Sequence, residues 1–210
     1  METLYIFDLD NTLIDTKDAI LDCQAKGLSK ATSESISDLE KELRDTSLDR
    51  ALKKRKIDKD RFFKEQYKTF DPYETAKNKK IRVFDDVELE KFEGTRAVIS
   101  NSSQEAAFNK LDALGLIRHI DHLLAEYQKG KVKPSAYMAE MLAKKIEKEP
   151  VLIFNIGDDE RDMEFGKSVA EVFSACRTIN ILIDREQNYN GKNNYDIKVA
   201  SLEEIQKYAE

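Results

Sequence analysis

The segment YIFDLDNT, residues Tyr5–Thr12, is the most informative part of the sequence about the fold. Its apolar residues belong to the run Leu4–Leu9, and such a nearly continuous run predicts a strand that is buried on both faces. Asp8 and Asp10 are two positions apart, so along an extended chain their side chains point to the same side. Two close carboxylates repel each other and are costly to bury unless a cation or hydrogen-bond donors compensate. The pair therefore indicates either a site that binds a cation or a simple pair of turn or helix-capping aspartates.

The composition limits the class of protein. The chain has 210 residues, of which 40% are hydrophobic and 36% charged, and its formal net charge is −6. This suits one domain or a core with a smaller inserted module, and the negative charge argues against nucleic-acid binding. The two cysteines, Cys23 and Cys176, lack metal-ligand spacing and are expected to be free thiols. No apolar run approaches the roughly 20 residues of a membrane span, so we expect a soluble, cytoplasmic protein without a membrane partner.

Short apolar runs alternate with helical patterns along most of the chain. The further predicted strands are Ala97–Ile99, His122–Ala125, Val151–Ile156, Ile179–Ile183 and Ile197–Ala200. The helical patterns between and after them are Ser103–Leu114, Ser135–Ile146, Arg161–Ala170 and Leu202–Tyr208. This alternation predicts an α/β fold with a Rossmann-like, doubly wound parallel sheet that is covered by helices on both faces. Because ligands of such sheets bind at the carboxyl ends of the strands, residues just after a strand are the first functional candidates.

A helical segment interrupts the alternation between Thr16 and Arg82. Its helical patterns are Lys17–Leu28, Ser35–Arg44, Leu48–Lys56 and Lys59–Tyr67. We therefore predict an α/β core of residues 1–15 and 83–210 and an all-helical cap of residues 16–82.

The predicted cap is also charged differently from the core. It holds 18 Lys+Arg and 13 Asp+Glu, a net of +5, which leaves 17 basic and 28 acidic residues, a net of −11, out of 35 and 41 in the chain. One hypothesis is that the cap attracts anionic substrates through this charge. The alternative is that its basic residues, including the runs 53–56 and 77–80, are a solvated helix face and linker.

Other predicted strand ends carry groups that complement the first aspartates. The motif GDDERD, residues 157–162, follows one strand, and Asp162 falls one helical turn after Asp158. The motif SNSS, residues 100–103, follows another strand and places hydroxyls and free backbone N–H groups at a helix start, which suits a phosphate. Lys133 stands at the start of a further helix. Carboxylates, a phosphate cradle and a positive charge together indicate Mg²⁺-assisted chemistry on a phosphorylated substrate.

In their order and spacing, the motifs DLDNT, SN, KP and GDDERD resemble those of the haloacid dehalogenase superfamily. The resemblance covers the whole chain and includes an insert typical of phosphatase-type members with a helical C1-type cap. It implies that Asp8 is the nucleophile that forms an aspartyl-phosphate, and that Asp10 is the general acid and then the general base. Lys133 would tie the phosphate to Asp8.

The resemblance also implies the substrate and metal ligands. Thr12 would orient Asp10, while Ser100 and the backbone N–H of Asn101 would hold phosphate oxygens. Mg²⁺ would be the cofactor, and its ligands would be Asp8, the carbonyl of Asp10 and Asp158, with Asp162 bound indirectly or through water.

Two departures from the usual motif leave points open. Asn11 occupies a position where many members have glycine, which is compatible because asparagine tolerates left-handed backbone geometry. The doubled acid in GDD means that Asp159 is an alternative to Asp158 as the metal ligand. We favour Asp158 because it is the first residue after the glycine that ends the strand.

The predicted function is a Mg²⁺-dependent phosphomonoester hydrolase that acts on a small phosphorylated metabolite through an aspartyl-phosphate. A phosphomutase of the same fold and a non-catalytic binding or regulatory protein are the alternatives. The acid at Asp10 argues against a dehalogenase, because members of the superfamily that dehalogenate lack it. Phosphoglycolate, sugar phosphates and nucleoside monophosphates are all open as substrates.

Overall fold

The apolar run at the N-terminus forms a central strand of a parallel sheet. In the computed structural model, β1 (Thr3–Phe7) pairs with β4 (Thr95–Ser100) on one side and with β6 (Leu152–Gly157) on the other. Residues 4–7 are at most 2% exposed. A strand that is buried on both faces needs apolar side chains at every position, which explains the unbroken run.

The structure describes residues 2–46, 48–59, 61–62, 71–78, 80–128 and 130–208. Its other strands are β2 (Ile14–Asp15), β3 (Arg82–Val83), β5 (His122–Ala125), β7 (Arg177–Ile183) and β8 (Ile197–Val199). The main sheet has the order β5-β4-β1-β6-β7-β8 with parallel neighbours, and β2 and β3 form a small second sheet. The strand order reverses direction at β1, which is where such sheets bind ligands.

By its internal contacts the chain divides into two units, one of Met1–Asp15 with Val83–Glu210 and one of Thr16–Arg82. The second unit contains α1 (Lys17–Thr32), α2 (Ile36–Asp45), α3 (Leu48–Lys54) and α4 (Pro72–Lys77). Its buried apolar cluster consists of Ala25, Leu28, Leu39, Leu43, Ala51, Leu52 and Phe62. The predicted helix Lys59–Tyr67 lies mostly outside the described residues.

The apolar periodicity does not predict α4, because this short helix buries little apolar surface. Its start is determined by Asp71, whose carboxylate accepts hydrogen bonds from the backbone N–H groups of Tyr73 at 2.9 Å and Glu74 at 3.1 Å. Pro72 occupies the first turn, where its missing N–H costs nothing. The Asp-Pro pair is the sequence signal for this helix start.

Arg55 corrects the expectation that the basic run 53–56 is wholly a solvated face. Its side chain is only 8% exposed, and its guanidinium donates to Glu34 at 2.6 Å and to Glu42 at 2.7 Å. The hydrogen bonds from Arg55 lower the pKa of Glu42 to about 2. Arg55 therefore holds α2 and the end of α3 together, and its charge is balanced within the helical unit.

The α/β unit adds α5 (Gln104–Ala113), α6 (Tyr137–Ala143), α7 (Glu160–Val172) and the 3₁₀ helices Leu89–Lys91, Ile117–His119 and Glu203–Tyr208. The parallel sheet flanked by helices confirms the predicted Rossmann-like α/β fold. The last predicted helical segment, Leu202–Tyr208, forms a 3₁₀ helix over Glu203–Tyr208, with Ile205 as its buried residue. Among the described residues, no helix is long and apolar enough to cross a membrane.

Candidate active site

Two neighbouring strands deliver carboxylates to the same edge of the sheet. Asp8 follows β1 and Asp158 follows β6, and the register of the two strands places Phe7 beside Ile156. The backbone N–H of Asp8 continues this ladder by donating to the carbonyl of Ile156 at 2.8 Å. The sheet therefore places the predicted nucleophile next to the GDDERD motif, although the two are far apart in the sequence.

Asp162, in the first turn of α7, completes a cluster with Asp8 and Asp158. One carboxylate oxygen of each residue lies within 4.8 Å of the others. The Oδ2 atom of Asp162 accepts from the backbone N–H groups of Asp158 and Asp159, both at 3.2 Å. These two hydrogen bonds fix the carboxylate of Asp162 against the turn that follows β6.

Gly157 and Asn155 allow Asp162 to take this place. A Cβ atom on Gly157 would lie 2.3 Å from the Cβ of Asp162, so any larger residue would push the carboxylate away. From the adjoining strand, the side-chain amide of Asn155 donates to the main-chain carbonyl of Asp162 at 2.9 Å. The glycine before the acids is thus required by the close approach of Asp162.

The carboxylate of Asp159 makes different contacts from that of Asp158. Its carboxylate caps α7 by accepting from the backbone N–H groups of Arg161 at 2.8 Å and Asp162 at 3.1 Å. It also pairs with the guanidinium of Arg161 at 2.7 Å. Burial acts to raise the pKa of Asp159, but the charge and hydrogen bonds of Arg161 hold it below its ordinary value. Within the described residues, it is Asp158 that joins the carboxylate cluster.

Lys133 is the buried cation of the cluster. Its side chain is 4% exposed, and its ammonium donates to Asp8, to Asp162 at 2.6 Å and to the carbonyl of Ile99 at 2.9 Å. Burial alone would lower the pKa of Lys133, but the adjacent charges of Asp162 and Asp8 raise it above its ordinary value. A buried ammonium is tolerated only with such full pairing.

The cluster nevertheless contains more acidic than basic groups. Burial raises the pKa of Asp8 to about 7, against the opposing effect of Lys133. Burial and the neighbouring carboxylates also raise the pKa values of Asp158 and Asp162. Three converging carboxylates beside one ammonium would hold two uncompensated negative charges if all were ionised. Buried carboxylate oxygens at this spacing fit a hard divalent cation.

The SNSS motif forms the turn between β4 and α5. The hydroxyl of Ser103 caps α5 by accepting a hydrogen bond from the backbone N–H of Ala106 at 3.2 Å. The hydroxyl of Ser100 accepts a hydrogen bond from the backbone N–H of Ser102, also at 3.2 Å. The side-chain oxygen of Asn101 accepts from the backbone N–H of Lys133 at 2.7 Å. This last contact, which the sequence analysis did not anticipate, brings the SNSS turn next to the lysine.

Thr12 makes a different contact from the one expected. Its hydroxyl donates to Asp158 at 3.3 Å, whereas the resemblance implied that it would orient Asp10. A hydroxyl has a single proton to donate, so this bond links the turn after β1 to the carboxylate cluster. Asn11 adopts the left-handed backbone conformation expected at this position, with φ of 63°.

Arg185, which the sequence analysis missed, supports the turn that carries Asp10 and Thr12. Its guanidinium donates to the carbonyl of Thr12 at 2.9 Å and to the carboxylate of Asp86 at 2.6 Å. It also lies over the ring of Phe84, 4.0 Å from the centroid. Because Arg185 contributes through its tertiary contacts alone, no local pattern marks it.

Lys110 is the second residue that sequence reasoning missed, and it contacts Asp10 directly. Its ammonium donates to both carboxylate oxygens of Asp10, at 2.6 Å and 2.8 Å. The hydroxyl of Ser102 lies 3.4 Å from one of these oxygens. The signal that could have found Lys110 is its position beside Ala107 and Leu111 on the buried face of α5, where an apolar residue is expected.

The comparisons with known proteins agree with this geometry. The sequence model of the haloacid dehalogenase-like hydrolase family matches residues 5–174. Among curated proteins, no sequence matches the chain significantly.

Many solved structures share the fold, and three examples align along nearly the full chain. A predicted phosphoglycolate phosphatase from Haemophilus somnus is 20% identical with a TM-score of 0.71, and the alignment covers 100% of this chain and 98% of that one. A candidate β-phosphoglucomutase from Thermotoga maritima is 17% identical with a TM-score of 0.63, at 100% and 98% coverage. A candidate hydrolase from Bacillus subtilis, YfnB bound to magnesium, is 13% identical with a TM-score of 0.63, at 99% and 98% coverage. Identities this low establish similarity of fold alone.

Proposed function

The chain belongs to the haloacid dehalogenase-like hydrolase family, and from this premise we propose that it is a Mg²⁺-dependent phosphomonoesterase. It would hydrolyse a small phosphorylated metabolite through an aspartyl-phosphate on Asp8. The observation that carries the proposal is the position of Asp8, bonded to the buried ammonium of Lys133 and clustered with Asp158 and Asp162. Asp10, two residues further on, is assigned to the same proposed reaction.

Asp8 is the proposed nucleophile. Its carboxylate oxygen attacks phosphorus as the bond to the leaving alcohol oxygen breaks, which forms an acyl phosphate on Asp8. Repulsion between the carboxylate and the phosphate dianion opposes this step, and the positive charge of Lys133 reduces that repulsion. Ser100 and the backbone N–H of Asn101 are the proposed donors to the phosphate oxygens.

Asp10 is the proposed proton carrier. It gives its proton to the departing alkoxide and then, as a carboxylate, takes a proton from the water that attacks the phosphorus of the acyl phosphate. The bond from phosphorus to Asp8 breaks in this second step, which releases inorganic phosphate and restores both carboxyl groups.

The proposed ligands of Mg²⁺ are Asp8, the carbonyl of Asp10 and Asp158, with Asp162 joined indirectly or through water. A bound Mg²⁺ neutralises charge on the phosphate and orients it for in-line attack. What supports a cation here is that three acidic groups converge, with Lys133 paired to two of them.

The helical unit Thr16–Arg82 is the proposed cap. It is inserted into the chain soon after the turn that carries Asp10, and an inserted cap of this kind favours a small substrate. Arg55 is balanced by Glu34 and Glu42, so any attraction of anionic substrates rests on the other basic residues of the unit.

A panel of phosphorylated metabolites tests the function. Purified protein with Mg²⁺ is expected to release inorganic phosphate from at least one phosphomonoester and from an aryl phosphate. Removal of the metal with EDTA should abolish release, and Ca²⁺ should inhibit, because its looser coordination disturbs in-line attack. A phosphomutase would interconvert sugar phosphates without net phosphate release. A protein that releases phosphate from none of these substrates would contradict the proposal.

Mg²⁺ is expected to raise the unfolding temperature more at about pH 8 than at about pH 5. The pKa of Asp8, raised to about 7, exceeds its unfolded value near 4. The metal-free protein therefore loses stability as the pH rises through this window, since the folded state disfavours the charged form. At the lower pH the cation must displace protons, so it stabilises less.

Thermal unfolding with Mg²⁺ and with EDTA at both pH values measures this difference. Asp158→Asn removes one proposed ligand, so at the higher pH this variant should lose most of the rise in unfolding temperature that Mg²⁺ causes. Asp38→Asn, on the exposed surface of α2, is the matched control and should keep the full rise in unfolding temperature. If Mg²⁺ raises the unfolding temperature equally or more at the lower pH, these carboxylates do not bind the cation.

A further inference from the structure

We propose that Lys110 is a positioning residue that holds Asp10 for proton transfer, an inference that rests on the proposed phosphomonoesterase function. The ammonium of Lys110 engages both carboxylate oxygens of Asp10, at 2.6 Å and 2.8 Å. A group that chelates both oxygens fixes the rotation of the carboxyl group as well as its location. Lys110 acts through Asp10 and is assigned no contact with the substrate.

The location of Lys110 is unfavourable for a lysine unless the contact with Asp10 matters. Its side chain is 6% exposed, and that of Asp10 is 20% exposed. Burial of an ammonium costs several kcal/mol per ion unless a good partner offsets it. At a helix-core position between Ala107 and Leu111, an apolar side chain of similar length would pack without that cost.

Lys110 also links Asp10 to the element that carries the phosphate cradle. β1 and β4 are neighbouring strands, with Phe7 beside Val98, so the turn after β1 lies near the start of α5. The SNSS turn leads directly into α5, and Lys110 is on the same helix. One rigid element therefore sets the distance between the proton carrier and the proposed donors to the phosphate. Misplacement of about 1 Å can cost about 100-fold in rate, so this link affects catalysis.

Substitution of Lys110 should selectively slow the hydrolysis of substrates whose leaving group needs a proton. The parameter kcat/KM reports on the steps up to departure of the alcohol. A 2,4-dinitrophenolate can depart without being protonated, whereas an alkoxide needs a proton to depart. For Lys110→Met we expect kcat/KM to fall about 30-fold or more on an alkyl phosphate, part of the range of general acid catalysis. On 2,4-dinitrophenyl phosphate we expect a fall of less than about 3-fold, because proton transfer contributes little there.

Three variants make the test specific. Lys110→Arg keeps the charge but changes the geometry, so it should show a smaller loss with the same selectivity for the alkyl ester. In an Asp10→Asn background, Lys110→Met should cause no further loss on the alkyl ester. Lys91→Met, at an exposed lysine paired with Glu88, is the matched control and should leave both substrates unaffected. Thermal unfolding checks each variant, and if Lys110→Met does not fold, Lys110→Arg carries the comparison.

The outcomes separate this inference from the proposed function. A wild-type protein that hydrolyses no phosphomonoester with Mg²⁺ refutes both. If the wild type is active but a folded Lys110 variant loses the same factor on both esters, Lys110 has only a structural role. If the loss of kcat/KM from Lys110→Met adds fully to the loss from Asp10→Asn in the double variant, the inference is likewise overturned.

Discussion

Asp8→Asn is expected to abolish phosphate release, with a loss of about 10⁴-fold or more, and to prevent formation of the covalent intermediate. A neutral amide cannot attack phosphorus, yet it has nearly the same shape as the carboxylate it replaces. Because burial raises the pKa of Asp8 to about 7, the charged form is unfavourable in the metal-free fold. The variant should therefore unfold at a temperature no lower than the wild type in EDTA at neutral pH.

Asp10→Asn should behave differently from Asp8→Asn, and the comparison tests the division of labour between them. With a good leaving group such as p-nitrophenolate, the Asp10 variant should still form the aspartyl-phosphate, because little protonation is needed. Breakdown of the intermediate should be slow, since no base activates water, so the phosphoenzyme should accumulate.

Rapid acid quench followed by intact-mass measurement detects this intermediate as an added phosphoryl group. Asp38→Asn is the matched control for the change of charge and should turn over normally. If both active-site variants lack the phosphoenzyme while they still bind metal and substrate, the assigned roles of Asp8 and Asp10 are wrong.

Lys133→Met is expected to cost both activity and stability. Lys133 lies between Asp8 and Asp162 and is 4% exposed, so its removal leaves two buried carboxylates without their cation. Loss of one partner from a buried ion pair typically costs about 3–5 kcal/mol. Activity should fall by about 10³-fold or more, as for removal of a major electrostatic contact to a transition state.

Mg²⁺ should restore part of the lost stability of Lys133→Met but not the lost activity. The cation replaces the missing positive charge among the carboxylates, whereas it cannot replace the link from Asp8 to the phosphate. Denaturant unfolding with Mg²⁺ and with EDTA, beside a phosphate-release assay, measures the two effects. Lys91→Met controls for loss of a lysine. A Lys133 variant with wild-type stability in EDTA would show that the buried ion pairs contribute little.

The class of fold and the candidate site residues were predictable from the linear pattern of residue types. The unbroken apolar run before Asp8 can only be satisfied by burial on both faces, and it formed β1 of the parallel sheet. The motifs after β4 and β6 stood where strands were predicted to end, which brought them to the ligand-binding edge of the sheet. These inferences succeed because hydrophobic periodicity and turn chemistry are local properties of the chain.

Which side chains contact each other depends on how the chain folds. Thr12 bonds to Asp158 across 146 positions, and Lys110 bonds to Asp10 across 100. Neither pairing has a local pattern, because each depends on β1 lying between β4 and β6. The different contacts of Asp158 and Asp159 are a similar case, since Asp159 becomes the N-cap only because the helix starts at Glu160. Long-range contacts follow from strand order and side-chain direction, and a linear pattern of residue types contains neither.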